Sequence, residues 1–377
     1  MSAGAPASGL RAFASDNYAG VHPDVWAALA DVDADHAPAY GADPHTERLQ
    51  EAVREAFDAP DAVALPVFNG TGANVVALQS MLPPWGAVVA ADTSHIHHDE
   101  GGAPERMGRT KLFTVPTPDG RLTPELVDRE AHGWGFVHRA QPAVVEIAQV
   151  TELGTVYTPE QVRALADHAH GHGMGLYMDG ARLFNAAAAL ELPLSAFTTH
   201  AGVDVVSLGG TKAGALGAEA VVVLRPEAVT LASLVPERDL PADAGPRERA
   251  RLAVEYVRKS SMQLASKMRY VSAQLTALLE GDLGIRLAGH ANTMARELAG
   301  RVAGIEGVEV ARAPEANVVF AVLDPQAADR ARVRHPFYDW DAARHEVRWM
   351  TSWDTTAADV DSFAAALGEA LSPGRRR

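Results

Sequence analysis

The chain has 377 residues, 33 Lys and Arg against 48 Asp and Glu, a formal charge of −15 and no cysteine. This length fits one large α/β domain plus a smaller one. The lack of cysteine excludes a disulfide framework, and the acidic surplus argues against nucleic-acid or anionic-membrane partners, which need clustered cations.

The start Met1-Ser2-Ala3-Gly4-Ala5-Pro6 lacks the cationic and apolar regions of a signal peptide. No apolar run approaches the roughly 18 residues that span a bilayer, so a cytoplasmic location is expected. From about Asp43 to Leu224, helical patterns alternate with short β-branched runs. Strands are expected at 62–68, 87–91, 111–115, 143–149, 175–178, 203–208 and 219–224, and helices at 44–58, 124–131, 159–171 and 181–190. The first three helices open on Pro, and Thr123 and Thr158 stand before two of them as expected caps. The pattern predicts a mostly parallel seven-stranded sheet with helices on both faces. The charged stretch 236–246 sets a boundary, giving an N-terminal segment and large domain at 1–242 and a small α+β domain at 243–377. In the latter, 247–279 reads as one long helix, and runs at 308–310, 318–322 and 347–350 read as a small antiparallel sheet. Arg375-Arg376-Arg377 reads as a frayed tail.

Three segments carry chemistry. Asn69-Gly70-Thr71-Gly72 sits between a strand and a helix, where glycine backbone, a hydroxyl and free helix N–H groups suit a phosphate. No Walker lysine or Gly-x-Gly-x-x-Gly spacing accompanies it, which argues against a nucleotide. Asp179 ends a strand in Met178-Asp179-Gly180-Ala181-Arg182; it suits either an N-cap or the carboxylate that keeps a pyridine nitrogen protonated. Lys212, in Gly209-Gly210-Thr211-Lys212, is one of only four lysines beside 29 arginines. It reads either as a solvated loop residue or as an amine retained because arginine cannot form a Schiff base. All three segments fall at the carboxyl edge of the expected sheet, where ligands bind in such folds.

With Ala14-Ser15-Asp16-Asn17, Ala39-Tyr40-Gly41, His95, Glu100-Gly101-Gly102-Ala103, Thr151-Glu152-Leu153-Gly154, Gln263-Leu264-Ala265-Ser266-Lys267-Met268-Arg269 and Ser352-Trp353-Asp354, these segments make the chain resemble the low-specificity L-threonine aldolases (phenylserine aldolases) of pyridoxal phosphate fold type I. The resemblance covers nearly the whole chain. It implies pyridoxal 5'-phosphate as cofactor, held at Lys212, with Asp179 at the ring nitrogen, Arg182 at the phenolic oxygen and Thr211 beside the lysine. Gly70 and Thr71 would hold the phosphate, joined by Arg269 from a neighbouring subunit, and His95 would stack on the ring near the substrate hydroxyl. Arg348, with Ser15 and Tyr40, would receive the substrate. The implied reaction is reversible cleavage of L-threonine, L-allo-threonine or phenylserine to glycine and an aldehyde, in a homodimer core or a homotetramer. Another branch of the family has a second histidine where this chain has Glu152, so Glu152, His95 and water all stand as candidates for the general base.

Rival readings keep the same lysine and aspartate: a β-eliminating lyase, an aminotransferase, a transaldolase, or a non-catalytic protein of this fold. His95-x-His97-x-Asp99 also matches the opening of a hydrolase zinc site, but Glu100 stands where a further histidine is needed. No metal is therefore expected at the site.

Overall fold

The computed structural model describes residues 9–372, so the segment read for a signal peptide and the terminal arginines lie outside the described residues. Seven strands form one sheet: β1 (Val63–Val67), β2 (Gly86–Ala91), β3 (Lys111–Val115), β4 (Gln141–Ala148), β5 (Gly175–Asp179), β6 (Val205–Gly209) and β7 (Glu219–Val223), in the order β1-β7-β6-β5-β4-β2-β3. β7 runs antiparallel to both its neighbours, and every other pairing is parallel. β1 therefore points the same way as β6, and the carboxyl ends of six strands share one edge. Residue by residue, β1, β2, β6 and β7 are buried throughout, as apolar runs covered on both faces must be.

The helix Gly70–Met81 packs on this sheet together with Ala250, Ala253, Val254 and Val257 of the helix Pro246–Ser260. Tyr177 of β5 points into that cluster. By alternation Leu176 and Met178 face the other layer, where the helix Pro159–Gly171 packs on β5. Caps fix where the helices begin. Asp43 accepts from the Thr46 N–H at 2.8 Å, and Thr158 and Gln161 cap reciprocally; such a cap stabilises its helix by about 1 kcal/mol.

Four expectations are corrected. The long helix at 247–279 is two, Pro246–Ser260 and Met268–Leu279, because Met262 takes a left-handed φ of 62° that no helix continues through. The helix expected from 181 begins at Leu183, and the one expected to reach 131 ends at Val127. The boundary at 242/243 moves to 286/287: one compact unit is Val21–Arg286, and the other holds residues 9–20 with 287–372. Both helices after the charged stretch belong to the large unit, the first through its apolar face under β1, the second through Leu275 and Leu278, which close over Gly210.

In the second unit, β8 (Val308–Val310), β9 (Val318–Leu323), β10 (Tyr338–Asp341) and β11 (Glu346–Met350) form an antiparallel sheet in the order β10-β11-β9-β8. One face packs on Met294, Leu298, Val302 and the helix Ala357–Leu371. The N-terminal segment joins it: the Phe13 N–H bonds Pro336 O, the Met350 N–H bonds Phe13 O, and the Phe13 ring lies 4.5 Å from that of Phe363. β10, with the sequence Tyr-Asp-Trp-Asp, has no apolar run to announce it. It is an edge strand, and its pairing shifts register between Asp339 and Asp341.

Candidate active site

Close approach of backbone at the ends of β5 and β6 builds the centre of the site. A Cβ at Gly180 would lie 2.1 Å from Ser207 O, and one at Gly209 would lie 2.6 Å from Ala181 O. Only glycine lets the two chains touch there. The Gly180 N–H donates to Ser207 Oγ at 2.9 Å, and the Gly209 N–H to Gly180 O at 3.2 Å. This contact sets Asp179, at the last position of β5, beside the 3-10 turn Thr211–Ala213 that carries Lys212.

Asp179 is buried and accepts three donors: the Ala181 N–H at 2.9 Å and Ser207 Oγ at 3.4 Å on one oxygen, Asn74 Nδ2 at 2.9 Å on the other. It does not cap the next helix; Arg182 occupies that position, three residues on. Asn74 extends the network. Its Nδ2 also donates to Glu100 Oε1 at 2.6 Å, its Oδ1 accepts from Tyr177 Oη at 2.5 Å, and Glu100 Oε1 meets His95 Nδ1 at 2.8 Å. A continuous chain thus runs His95–Glu100–Asn74–Asp179. The bond from Glu100 raises the His95 pKa against the opposing effect of burial, so the imidazole is held toward its charged form.

Glu152 accepts the His95 backbone N–H at 2.9 Å. Burial of its carboxyl, reinforced by the charge of Asp179, pushes its pKa up to about 7. Glu219 opens β7, which places it at the same edge because that strand runs in reverse. Burial pushes it to about 7 as well, and it accepts weakly from the Thr211 N–H at 3.4 Å, while Thr211 Oγ1 receives the Ala218 N–H at 3.3 Å.

Asn69 caps the helix Gly70–Met81 by accepting the Gly72 N–H at 2.7 Å, and the Ala73 N–H returns to Asn69 O. The N–H groups of Gly70 and Thr71 are left as the helix-end donors. A Cβ built on Gly70 meets nothing within 4 Å, so the space over this first turn is open. Gln263 flanks it, accepting the Phe68 N–H at 3.0 Å and lying where a Gly72 side chain would go. An amine, a buried carboxylate with three donors and an open helix N-terminus at one edge fit pyridoxal phosphate, whose aldehyde, ring nitrogen and phosphate need one each.

The other expected residues make local contacts of their own. Arg269 Nη1 donates to Asp35 O at 3.1 Å and its Nη2 to Tyr270 Oη at 3.2 Å, with none of the site residues among these partners. Tyr40 is half exposed, adopts a left-handed φ of 61° and lies under Lys259 Nζ at 5.3 Å. That conformation is strained for a ring-bearing residue. In the second unit, Arg348 lies on β11 opposite Phe320, its guanidinium 5.3 Å from the Trp340 ring. Ser15 caps the turn Asp16–Tyr18. His97 packs edge-on against His98, whose Nε2 meets Asp92 O, so neither ring turns to His95.

Asn74, Glu100, Ser207, Glu219 and Gln263 were not among the expected site residues, nor was Glu146, a buried acid of β4 that feels the charges of Glu152, Asp179 and Glu100. The signal for several was present: Glu146 interrupts Ala-Val-Val-Glu-Ile-Ala, Asn74 precedes Val-Val-Ala-Leu, and Glu219 opens a valine run. A polar residue in a buried apolar stretch has to find a partner or a function.

The model of the family described as beta-eliminating lyase matches residues 12–325. The chain is 36% identical over 361 residues to the low specificity L-threonine aldolase of Pseudomonas sp. (strain NCIMB 10558), covering 96% of this chain and 98% of that one. It is also 36% identical over 353 residues to the enzyme of the same description from Pseudomonas aeruginosa, covering 93% and 95%. Among solved structures, the threonine aldolase of Leishmania major superposes with a TM-score of 0.83 at 27% identity, over 95% of this chain and 98% of that one. By sequence and by fold, the chain belongs to the beta-eliminating lyase family of pyridoxal phosphate enzymes, fold type I, among the low-specificity L-threonine aldolases.

Proposed function

We propose that the protein cleaves the Cα–Cβ bond of L-threonine, L-allo-threonine and related L-β-hydroxy-α-amino acids such as phenylserine, giving glycine and an aldehyde. Pyridoxal phosphate, when bound, supplies the sink for the electron pair left on Cα. Lys212 holds its aldehyde carbon, Asp179 its ring nitrogen, Arg182 its phenolic oxygen, and Gly70 and Thr71 its phosphate, with Thr211 positioning the lysine turn. For the substrate carboxylate we assign Arg348, whose forked donors match two oxygens in a plane, with Ser15 and Tyr40.

The observation that carries the reading is the pairing of His95 with two different carboxylates. Glu100 binds the ring and favours its charged form, which is a donor and not a base. Glu152, raised to about 7, accepts the backbone N–H of the same residue and titrates where a general base for neutral pH should. His95 then orients the β-hydroxyl, and Glu152 takes its proton as the aldehyde leaves. The family description favours one second reading, β-elimination, in which water leaves Cβ and the resulting enamine hydrolyses to a 2-keto acid and ammonia. Incubation with L-threonine, L-allo-threonine and L-phenylserine separates them: glycine with an aldehyde supports aldol cleavage, and a keto acid with ammonia overturns it.

A further inference from the structure

At the amino edge of the large sheet, away from Lys212, three side chains converge that this chemistry does not use. The helix Pro159–Gly171 ends there, three residues before β5 begins. His168 and His172 are four residues apart, so their rings share one face of its last turn. Asp128, the C-cap of the short helix Pro124–Val127, faces both: its Oδ1 lies 2.8 Å from His168 Nε2 and 3.8 Å from His172 Nε2. The donor atoms of all three lie within 4.8 Å of one another.

We propose that Asp128, His168 and His172 form a binding site for a divalent transition-metal ion of the zinc type, which clips the segment leading to β4 onto the helix. Two imidazole nitrogens and one carboxylate suit zinc, cobalt or nickel, whereas magnesium and calcium call for oxygen donors. Bonds of about 2.0–2.2 Å set neighbouring tetrahedral donors about 3.3 Å apart. The Asp128 separations of 2.8 and 3.8 Å bracket that value, and the two histidine nitrogens, within 4.8 Å of each other, close on an ion by side-chain adjustment. The side chains of His168, His172 and Asp128 are 20%, 37% and 55% exposed, which leaves the remaining coordination position to water.

The surroundings hold the donors in place. The Trp134 indole stacks on His172 at 4.9 Å and 13°, and its Nε1 donates to Pro142 O at the start of β4. This fixes the ring plane much as a hydrogen-bonded partner fixes a ligating histidine. His170, between the two ligands in sequence, turns to the opposite side and meets Asp204 at 2.9 Å and Arg225. The chain has no cysteine to offer a competing thiolate site.

The test uses tag-free holoenzyme dialysed against a chelator and titrated calorimetrically with Zn²⁺, together with His168→Gln, His172→Gln and Asp128→Asn. One zinc per chain is expected, with affinity at least about tenfold weaker in each variant and a zinc-dependent rise in Tm confined to the wild type. Asp128→Asn is the discriminating variant, because its amide still accepts a hydrogen bond from His168 yet is a poor metal ligand. Aldol cleavage without zinc should be unchanged throughout. Absence of binding by the wild type, or equal affinity in the variants, would overturn the site and leave an ordinary hydrogen-bonded cluster.

Discussion

Glu152 is the residue on which the proposed mechanism turns, and its titration gives a signed prediction. Only the deprotonated carboxylate can take a proton, so with a pKa of about 7 kcat/KM for L-threonine should rise through neutral pH and level off above it. Glu152→Gln should remove that ascending limb and lower kcat by about 10²–10⁴-fold, the usual contribution of a general base. The cofactor absorbance should survive the substitution, since Glu152 lies outside the set assigned to hold the cofactor. An unaltered pH profile in the variant would return the role to His95 or to water. At this scale the positions along the carboxyl edge of the sheet were legible: Lys212 stood out by its scarcity, Asp179 and Gly70 by their places at strand ends. The pairings of Glu100 and Asn74 were not, because their partners lie 5 to 105 positions away along the chain, and spacing alone encodes no such pairing.

The helix Gly70–Met81 carries the proposed phosphate site at its first turn and, one turn later, aligns Asp179 and Glu100 through Asn74. Asn74 is 1% exposed and uses both ends of its amide. Asn74→Leu leaves Tyr177 Oη, Glu100 and Asp179 each short of a partner in a buried setting, and each buried group so orphaned costs about 1–3 kcal/mol. The expected outcome is a lower Tm, weaker cofactor retention, and a shift of the His95 titration seen by NMR in the apoprotein. Asn74→Asp, the same size but with two like charges facing it, should be no better than leucine; full retention of cofactor in both variants would show the bridge to be incidental. Elements were read from sequence where periodicity and capping agreed, as at 159–171, whose bounds match the observed helix. They were misread where one residue broke the pattern, as Met262 does by leaving the helical region, because a left-handed φ at a non-glycine residue is set by tertiary contacts and leaves no compositional mark.

For the whole molecule, the misplaced unit boundary has the same origin: composition marked the charged stretch at 236–246, but the apolar faces of the two helices after it decide where they pack. Buried acids also make stability depend on pH. Glu146 is 1% exposed with neither oxygen hydrogen-bonded to the protein, and burial raises its pKa well above that of an ordinary carboxyl. The folded state then holds a proton the unfolded chain releases above about 4.5, so stability is lost as pH rises from there toward the folded pKa, at up to about 1.4 kcal/mol per pH unit. Glu146→Met should raise Tm, and by more at pH 8 than at pH 5; a lower Tm at both would mean the acid is well solvated. A separate prediction concerns assembly. Arg269 binds Asp35 and Tyr270 within its own chain, and Tyr40 stands half exposed in a strained conformation. We propose that both complete the site of a second copy in a homodimer core. Lys212→Ala and Arg269→Ala should each be inactive, yet refolding an equal mixture should yield hybrids in which one site draws an intact Lys212 from one chain and an intact Arg269 from the other. Random pairing makes about half the dimers hybrid, each with one good site of two, so roughly a quarter of wild-type activity should return under two-fold symmetry. Hybrids demonstrated by native mass spectrometry but without activity would place Arg269 outside any shared site.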